Sequence, residues 1–90
     1  MLSMNIVMQP VDMIAHFPID GFPRPERLRT SDNEGQSLVI NIDHVFSKAV
    51  TFFGEKKWIV YKCRCVSNDL IRNIELKFDC FSCIWYIYKF

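Results

Sequence analysis

The stretch Trp58-Ile59-Val60-Tyr61-Lys62-Cys63-Arg64-Cys65-Val66 decides the fold. Ile59, Tyr61, Cys63 and Cys65 fall on one side of an extended chain, and Trp58, Val60, Lys62 and Arg64 on the other. Alternation with a period of two, in residues that favour extended backbone, predicts a strand with unlike surroundings on its two faces. Downstream, Ser67-Asn68-Asp69 reads as a turn, followed by a strand from Ile71 to Asp79. There Ile74, Leu76 and Phe78 face inward, and Glu75, Lys77 and Asp79 face outward. Phe81-Ser82 reads as a tight turn leading into a last strand, Cys83 to Lys89, that is apolar on both faces. Trp85 and Ile87 occupy one side, Ile84, Tyr86 and Tyr88 the other. A strand of that kind is central or covered.

Upstream, Gly54-Glu55-Lys56 is a turn. Before it, a strand beginning at Gln36 or Ser37 points Leu38, Ile40 and Ile42 inward and Asn41 and Asp43 outward, and continues, bent, through Phe46. Ser47 to Phe53 fits a short helical turn and a further strand segment equally well. Ser31 to Gly35 is a polar turn. A strand over Glu26 to Thr30 sets Arg27 and Arg29 on one face and Glu26, Leu28 and Thr30 on the other. Pro23 and Pro25 lack the N–H that a ladder needs, so this strand should begin at a sheet edge. The first strand, Val11 to Phe17, places Val11, Met13, Ala15 and Phe17 together, and Asp20-Gly21 is a hairpin signal. Residues 1–9 are expected to be a tail or an added strand, and residues 10–90 a single domain. Five to six short strands joined in order by turns predict an all-β fold: a small antiparallel meander closing into an SH3-like barrel or roll, with an OB-like barrel as the alternative.

Composition supports one small ordered domain. The chain has 90 residues, half of them apolar, with eight Phe, three Tyr and two Trp to fill a thin core. A net charge of +1 neither demands nor excludes a nucleic-acid partner, but it argues against a strongly salt-driven, sequence-blind binder. No Lys or Arg precedes Arg24, and Asn5, Gln9, Pro10 and Asp12 interrupt the apolar N-terminal run, so no signal peptide is expected and the cytoplasm is the expected location. The longest apolar window, Cys80 to Phe90, is too short to span a bilayer, so no membrane partner is expected.

Four cysteines, Cys63-Arg-Cys65 and Cys80-Phe-Ser-Cys83, raise the alternative of a thiolate zinc site. A two-residue turn would set Cys80 opposite Cys83 and Leu76 opposite Ile87, and Cys63 would face Leu76 or a near neighbour. Cys80 would then sit about 13 Å from Cys63 along the strands. Cys63 and Cys65 therefore read as small core residues, with a Cys80–Cys83 disulfide as a further option and free thiols as the default. No metal and no cofactor are expected. Asp43 and His44 point to opposite faces, His16 has no partner, and neither Ser37 nor Ser47 sits in a nucleophile motif, so the chain is read as a non-enzyme.

Two surfaces remain. Arg27, Arg29, Lys62 and Arg64, with Arg24 nearby and Lys77 on the Trp58 face, form the nucleic-acid alternative, although Glu26, Glu75 and Asp79 are interspersed. Trp58, Val60, Ile84, Tyr86 and Tyr88 would together make an apolar patch that implies a protein partner. Otherwise the patch is covered by Leu2, Met4, Ile6 and Val7, or by Ala49 to Phe53. The leading expectation is a non-enzymatic binding or adaptor module whose aromatic sheet face meets a protein partner; a homodimer is compatible with the sequence.

Val11-Asp12-Met13-Ile14-Ala15, Leu38-Val39-Ile40, Trp58-Ile59-Val60-Tyr61-Lys62-Cys63, Glu75-Leu76-Lys77-Phe78 and Cys83-Ile84-Trp85 together resemble a group of short, cysteine-poor, β-rich clostridial-type (Firmicutes) bacterial proteins of unassigned function. The likeness covers most of the chain after Gln9. It implies a bacterial cytosolic protein and carries over no catalytic residue. Cys65 and Cys80 depart from the pattern.

Overall fold

The structure, a computed structural model, describes residues 4–19 and 21–90. Six strands follow one another: β1 (Ile6–His16), β2 (Arg24–Ser31), β3 (Ser37–Phe53), β4 (Lys56–Ser67), β5 (Leu70–Asp79) and β6 (Trp85–Lys89). Each pairs antiparallel with the next, and β6 returns to β1, so the meander closes into a barrel without a crossover. Asn5 and Phe90 exchange both backbone hydrogen bonds, at 3.2 and 3.0 Å, and seal that seam. Among the described residues no helix is long and apolar enough to cross a membrane.

The alternation in β4 and β5 sets the core. Ile59, Tyr61, Cys63 and Cys65 are buried, as are Ile74, Leu76 and Phe78. Leu28 and Ile40 close one side, Trp85 and Ile87 the other. Fully burying an aliphatic or aromatic side chain contributes roughly 1.5–3 kcal/mol, so the nine buried here dominate the stability of so small a domain. Tyr61 is buried among them and its hydroxyl donates to the Pro23 carbonyl. Burial, followed by the neighbouring Cys80 and Cys63, raises the Tyr61 phenol above its ordinary range.

Turn chemistry fixes the register. Asn68 and Asp69, both at positive φ (50° and 62°), make the two-residue turn between Ser67 and Leu70. Gly54 at φ 63° starts the turn that pairs Phe53 with Lys56. Leu76 lies opposite Ile87 as expected, and Cys63 lies opposite Ile74.

Several sequence expectations need correcting, mostly because of β-bulges. On the β1 side Arg27 pairs with Ile14 and Pro25 with Ala15, leaving Glu26 without a partner. The extra residue reverses the alternation, so Pro25 is buried and Glu26 exposed instead of sharing the face of Leu28. Phe17 lies beyond the end of β1 and is exposed, its ring meeting Phe78 edge-on at 6.0 Å. Ser47 to Phe53 is strand, not a helical turn. β3 reaches it through bulges at Asp43 and Phe46, which turn the strand without ending it. The Phe81-Ser82 turn is in fact a longer loop, Cys80 to Cys83, closed by the bonds of Asp79 N–H to Ile84 O (3.0 Å) and Cys83 N–H to Asp79 O (2.7 Å). The hairpin signal at Asp20-Gly21 falls partly outside the described residues, as does Leu2. Ile6 to Gln9 form the start of β1 and pair with β6, so they add to the sheet.

Candidate functional site

Outward positions of neighbouring strands line up across the sheet. One row runs Ala49, Val60, Lys77, Tyr86, Pro10 through β3, β4, β5, β6 and β1. Trp58 lies one position pair along β4 from Val60, opposite Asp79. Ile84 follows Asp79 through the loop-closing hydrogen bond and is 42% exposed. Tyr88 is a bulge residue: Glu75 pairs with Lys89 and Leu76 with Ile87, so Tyr88 has no partner on β5 and its ring is re-aimed along the face. The structure thus places Trp58, Val60, Ile84, Tyr86 and Tyr88 on one outer face.

Leu2 of the first proposed cover lies outside the described residues; the strand segments Ile6 to Gln9 and Ala49 to Phe53 do not lie on the face. Ile6 and Gln9 pair edge-on with β6, and Ala49 to Phe53 pair edge-on with β4, so both segments extend the sheet in its own plane. Lysines overlie the rings instead. Lys77 Nζ is 3.9 Å from the Tyr88 ring centroid and 5.8 Å from that of Trp58. Lys89 Nζ stands 5.2 Å from Tyr88, and Lys56 Nζ 5.0 Å from Trp58. The Trp58 and Tyr86 rings themselves meet at 5.6 Å, tilted by 56°. Their quadrupoles attract the ammonium groups, so each lysine lies along the aromatic surface with its charge kept on the sheet. Lys77 follows from its place beside Trp58 in the alternation. Lys56 and Lys89 escaped the sequence reading, since their reach depends on the hairpin end and on the Tyr88 bulge.

Asp79 anchors this face from beneath. The alternation assigned it to solvent, and it does point to the outer side, yet its side chain is only 1% exposed because the 80–83 loop folds over it. Phe81 and Ser82 N–H groups donate to its Oδ1 at 2.9 and 3.3 Å, and Lys56 Nζ lies 3.1 Å from Oδ2. Burial alone would raise the carboxyl. The bonds from Phe81, Lys56 and Ser82 outweigh it and hold the group at about 2.

The alternative basic set is arranged differently. Arg27 and Arg29 lie on β2, Lys62 and Arg64 on β4, and β3 runs between them. Arg29 pairs with Asp12 at 3.1 Å, and Arg64 Nε donates to Asp43 at 2.7 Å. Lys62 faces Glu75 across the β4–β5 register. Carboxylates are thus threaded through this set, while on the aromatic face Lys77 and Lys89 share the surface with rings and Lys56 lies between the Trp58 ring and the Asp79 carboxylate.

The cysteines separate into two places. Cys63 and Cys65 are buried in the barrel, Cys80 is half-buried and Cys83 exposed at the far loop, all as free thiols. Cys80 lies roughly 20 Å along β5 from Ile74, the partner of Cys63, at ~3.3 Å per residue. The four sulfurs therefore do not meet around one ion, and among the described residues no group of three or more His, Cys, Asp or Glu side chains is placed to hold a metal. Burial, then the neighbouring Cys65, pushes the Cys63 thiol up to about 12. Burial also raises Cys65, against the opposing pull of Arg72. Neither is a ready nucleophile. Comparison with known proteins returns no matching family model, no matching curated protein and no matching solved structure.

Proposed function

We propose that the chain is a non-enzymatic binding module that holds an extended, acidic protein segment against the outer face of β4, β5 and β6. The observation that carries this reading is the Lys77 ammonium lying 3.9 Å over the Tyr88 ring, within a face also made of Trp58, Tyr86, Val60 and Ile84. Rigid rings offer contact area at low entropic cost. The lysines lying over them can trade a ring for a carboxylate without a change of strand geometry. Apolar contact and opposite charge then act at one place.

The same residue types would serve a single-stranded nucleic acid, which needs open ring faces for stacked bases. Here Trp58 and Tyr88 each already carry two ammonium groups. Arg29 and Arg64, from the alternative set, are engaged by carboxylates. Both points favour a protein segment over a nucleic acid.

Random dodecapeptides displayed on phage and selected on the intact protein test the reading. The expected outcome is enrichment of sequences combining Asp or Glu with apolar residues. Their affinity should fall about tenfold or more in Trp58→Ala and in Tyr88→Ala, as at the centre of an interface. Binding indifferent to both substitutions, or oligothymidylate binding tighter than every selected peptide, would refute the reading.

A further inference from the structure

β3 is paired on both sides for only part of its length. β2 covers Ser37 to Asn41, whereas β4 runs beside it from Asn41 to Phe53. From residue 42 to residue 53 its other edge has no ladder partner among the described residues. Two features keep it so. Pro23 and Pro25 have no N–H to offer, so the chain leading into β2 cannot zip onto β3. The bulges at Asp43 and Phe46 also swing β3 away. A groove of about 380 Å³ opens between them, lined by Phe22, Pro23, Phe46 and Lys48 with Tyr61 at its floor.

The two-residue turn after Phe53 fixes which groups look outward. Phe53 and Lys56 are its closing, hydrogen-bonded pair, so alternation leaves the N–H and C=O groups of Lys48, Val50 and Phe52 on the free edge. This edge is uncharged from Ala49 to Phe53 and rich in strand formers. It is also exposed: Phe46 by 56%, Val50 by 37%, Phe52 by 64% and Phe53 by 84%. Natural sheets blunt such an edge or pair it.

We infer that the free edge of β3 is where two copies of this chain join, strand against strand and antiparallel, about a two-fold axis at Val50. The segment suits itself. In that register Val50 faces Val50, Ala49 faces Thr51, and Lys48 faces Phe52, so no like charges meet. The Lys48 ammonium gains a ring like the Phe22 ring it already overlies at 5.5 Å. About six backbone hydrogen bonds form across the axis. With a full aromatic side chain worth ~200 Å², the four apolar residues expose roughly 450 Å² per protomer, the most that they can withdraw from water in the contact. The backbone edge and the Phe22 flank add to this, toward the ~800 Å² that each partner gives a standard interface. A two-fold contact also closes on itself, so the edge is used up without a fibre. The edge borders the Trp58 face through Ala49 and Thr51, but Val50 and Phe52 alternate to the other side of the sheet, so substitutions at Val50 leave the Trp58 face intact and either surface can fail alone.

Light scattering on a sizing column and sedimentation equilibrium, from about 1 μM to about 1 mM, read the association directly. The wild-type chain should pass from monomer to dimer and no further. Amide exchange at Val50 and Phe52 should slow at least about tenfold with rising concentration. Val50→Lys sets two ammonium groups face to face, and Val50→Pro deletes an N–H that bonds to nothing within the protomer. Both variants should be monomers with an unchanged far-ultraviolet spectrum, and if the proline variant misfolds, the lysine variant carries the test. A wild-type chain monomeric throughout, a dimer that survives Val50→Lys, or open-ended oligomers would overturn the inference.

Discussion

Asp79→Asn separates charge from shape at the loop that supports the aromatic face. Asparagine keeps an oxygen for the Phe81 and Ser82 amides, but turns an N–H₂ toward the Lys56 ammonium where Oδ2 now stands at 3.1 Å. A hydrogen bond to a charged group is worth about 1.5–3 kcal/mol, and Lys56 is 47% exposed, so screening trims the expected loss to about 1–2 kcal/mol. Asp79→Ala strands both amides as well and should cost about 3 kcal/mol. For a domain of this size each kcal/mol lowers Tm by about 4–8 °C. The pH dependence follows from the carboxyl being held at about 2 against its usual 3.8. A carboxyl lowered on folding stabilises in full above the unfolded value and loses that contribution as pH falls through the folded one. The gap between wild type and Asp79→Asn should therefore be constant from pH 7 to about 5, shrink below 4, and nearly vanish near 2. Urea unfolding followed by tryptophan fluorescence at pH 7, 5, 3 and 2 measures it. A gap as wide at pH 2 as at pH 7, or none at pH 7, would refute the reasoning.

Three further outcomes are expected. Tyr61→Phe leaves the buried Pro23 carbonyl without its donor and should cost about 1–3 kcal/mol in urea unfolding, with little change in the far-ultraviolet spectrum. In the native protein a thiol reagent should modify Cys83 quickly, while Cys63 and Cys65 react only as fast as the barrel opens, so peptide mapping after brief labelling should find the label at the loop. Cys83→Gly should raise stability by about 0.5–1 kcal/mol, because an exposed side chain at φ 61° is traded for the residue that tolerates that backbone; a loss in thermal unfolding would count against this.

Much of the barrel is legible in the sequence because its centre obeys a strict period of two. Ile59, Tyr61, Cys63 and Cys65, and Ile74, Leu76 and Phe78, point inward as the alternation requires. Gly54 and Asn68-Asp69 mark their turns by chemistry. What stayed hidden is every place where the period breaks. The bulges at Glu26, Asp43, Phe46 and Tyr88 carry no compositional mark, yet each shifts the pattern by one residue. Asp79 was misplaced for a related reason: alternation says which way a side chain points, not what a loop lays over it. Trp58, Val60 and Tyr86 share an outer face because the alternation holds through them, whereas Tyr88 is set by its bulge. The free edge of β3 was missed because its causes are two prolines distant in the chain, Pro23 and Pro25, and two bulges that carry no compositional mark.

The hydrogen-bonded meeting of Asn5 and Phe90 has a mechanical consequence. A pull applied at Asn5 and Phe90 would draw on the β1–β6 seam at one extremity and peel it bond after bond, as a zip opens, instead of shearing a whole ladder at once. Rupture should thus need little force, although the interior is tightly filled. The same nearness means that a short linker could join Asn5 to Phe90 and the barrel be cut anew at Gly35 with scant disturbance.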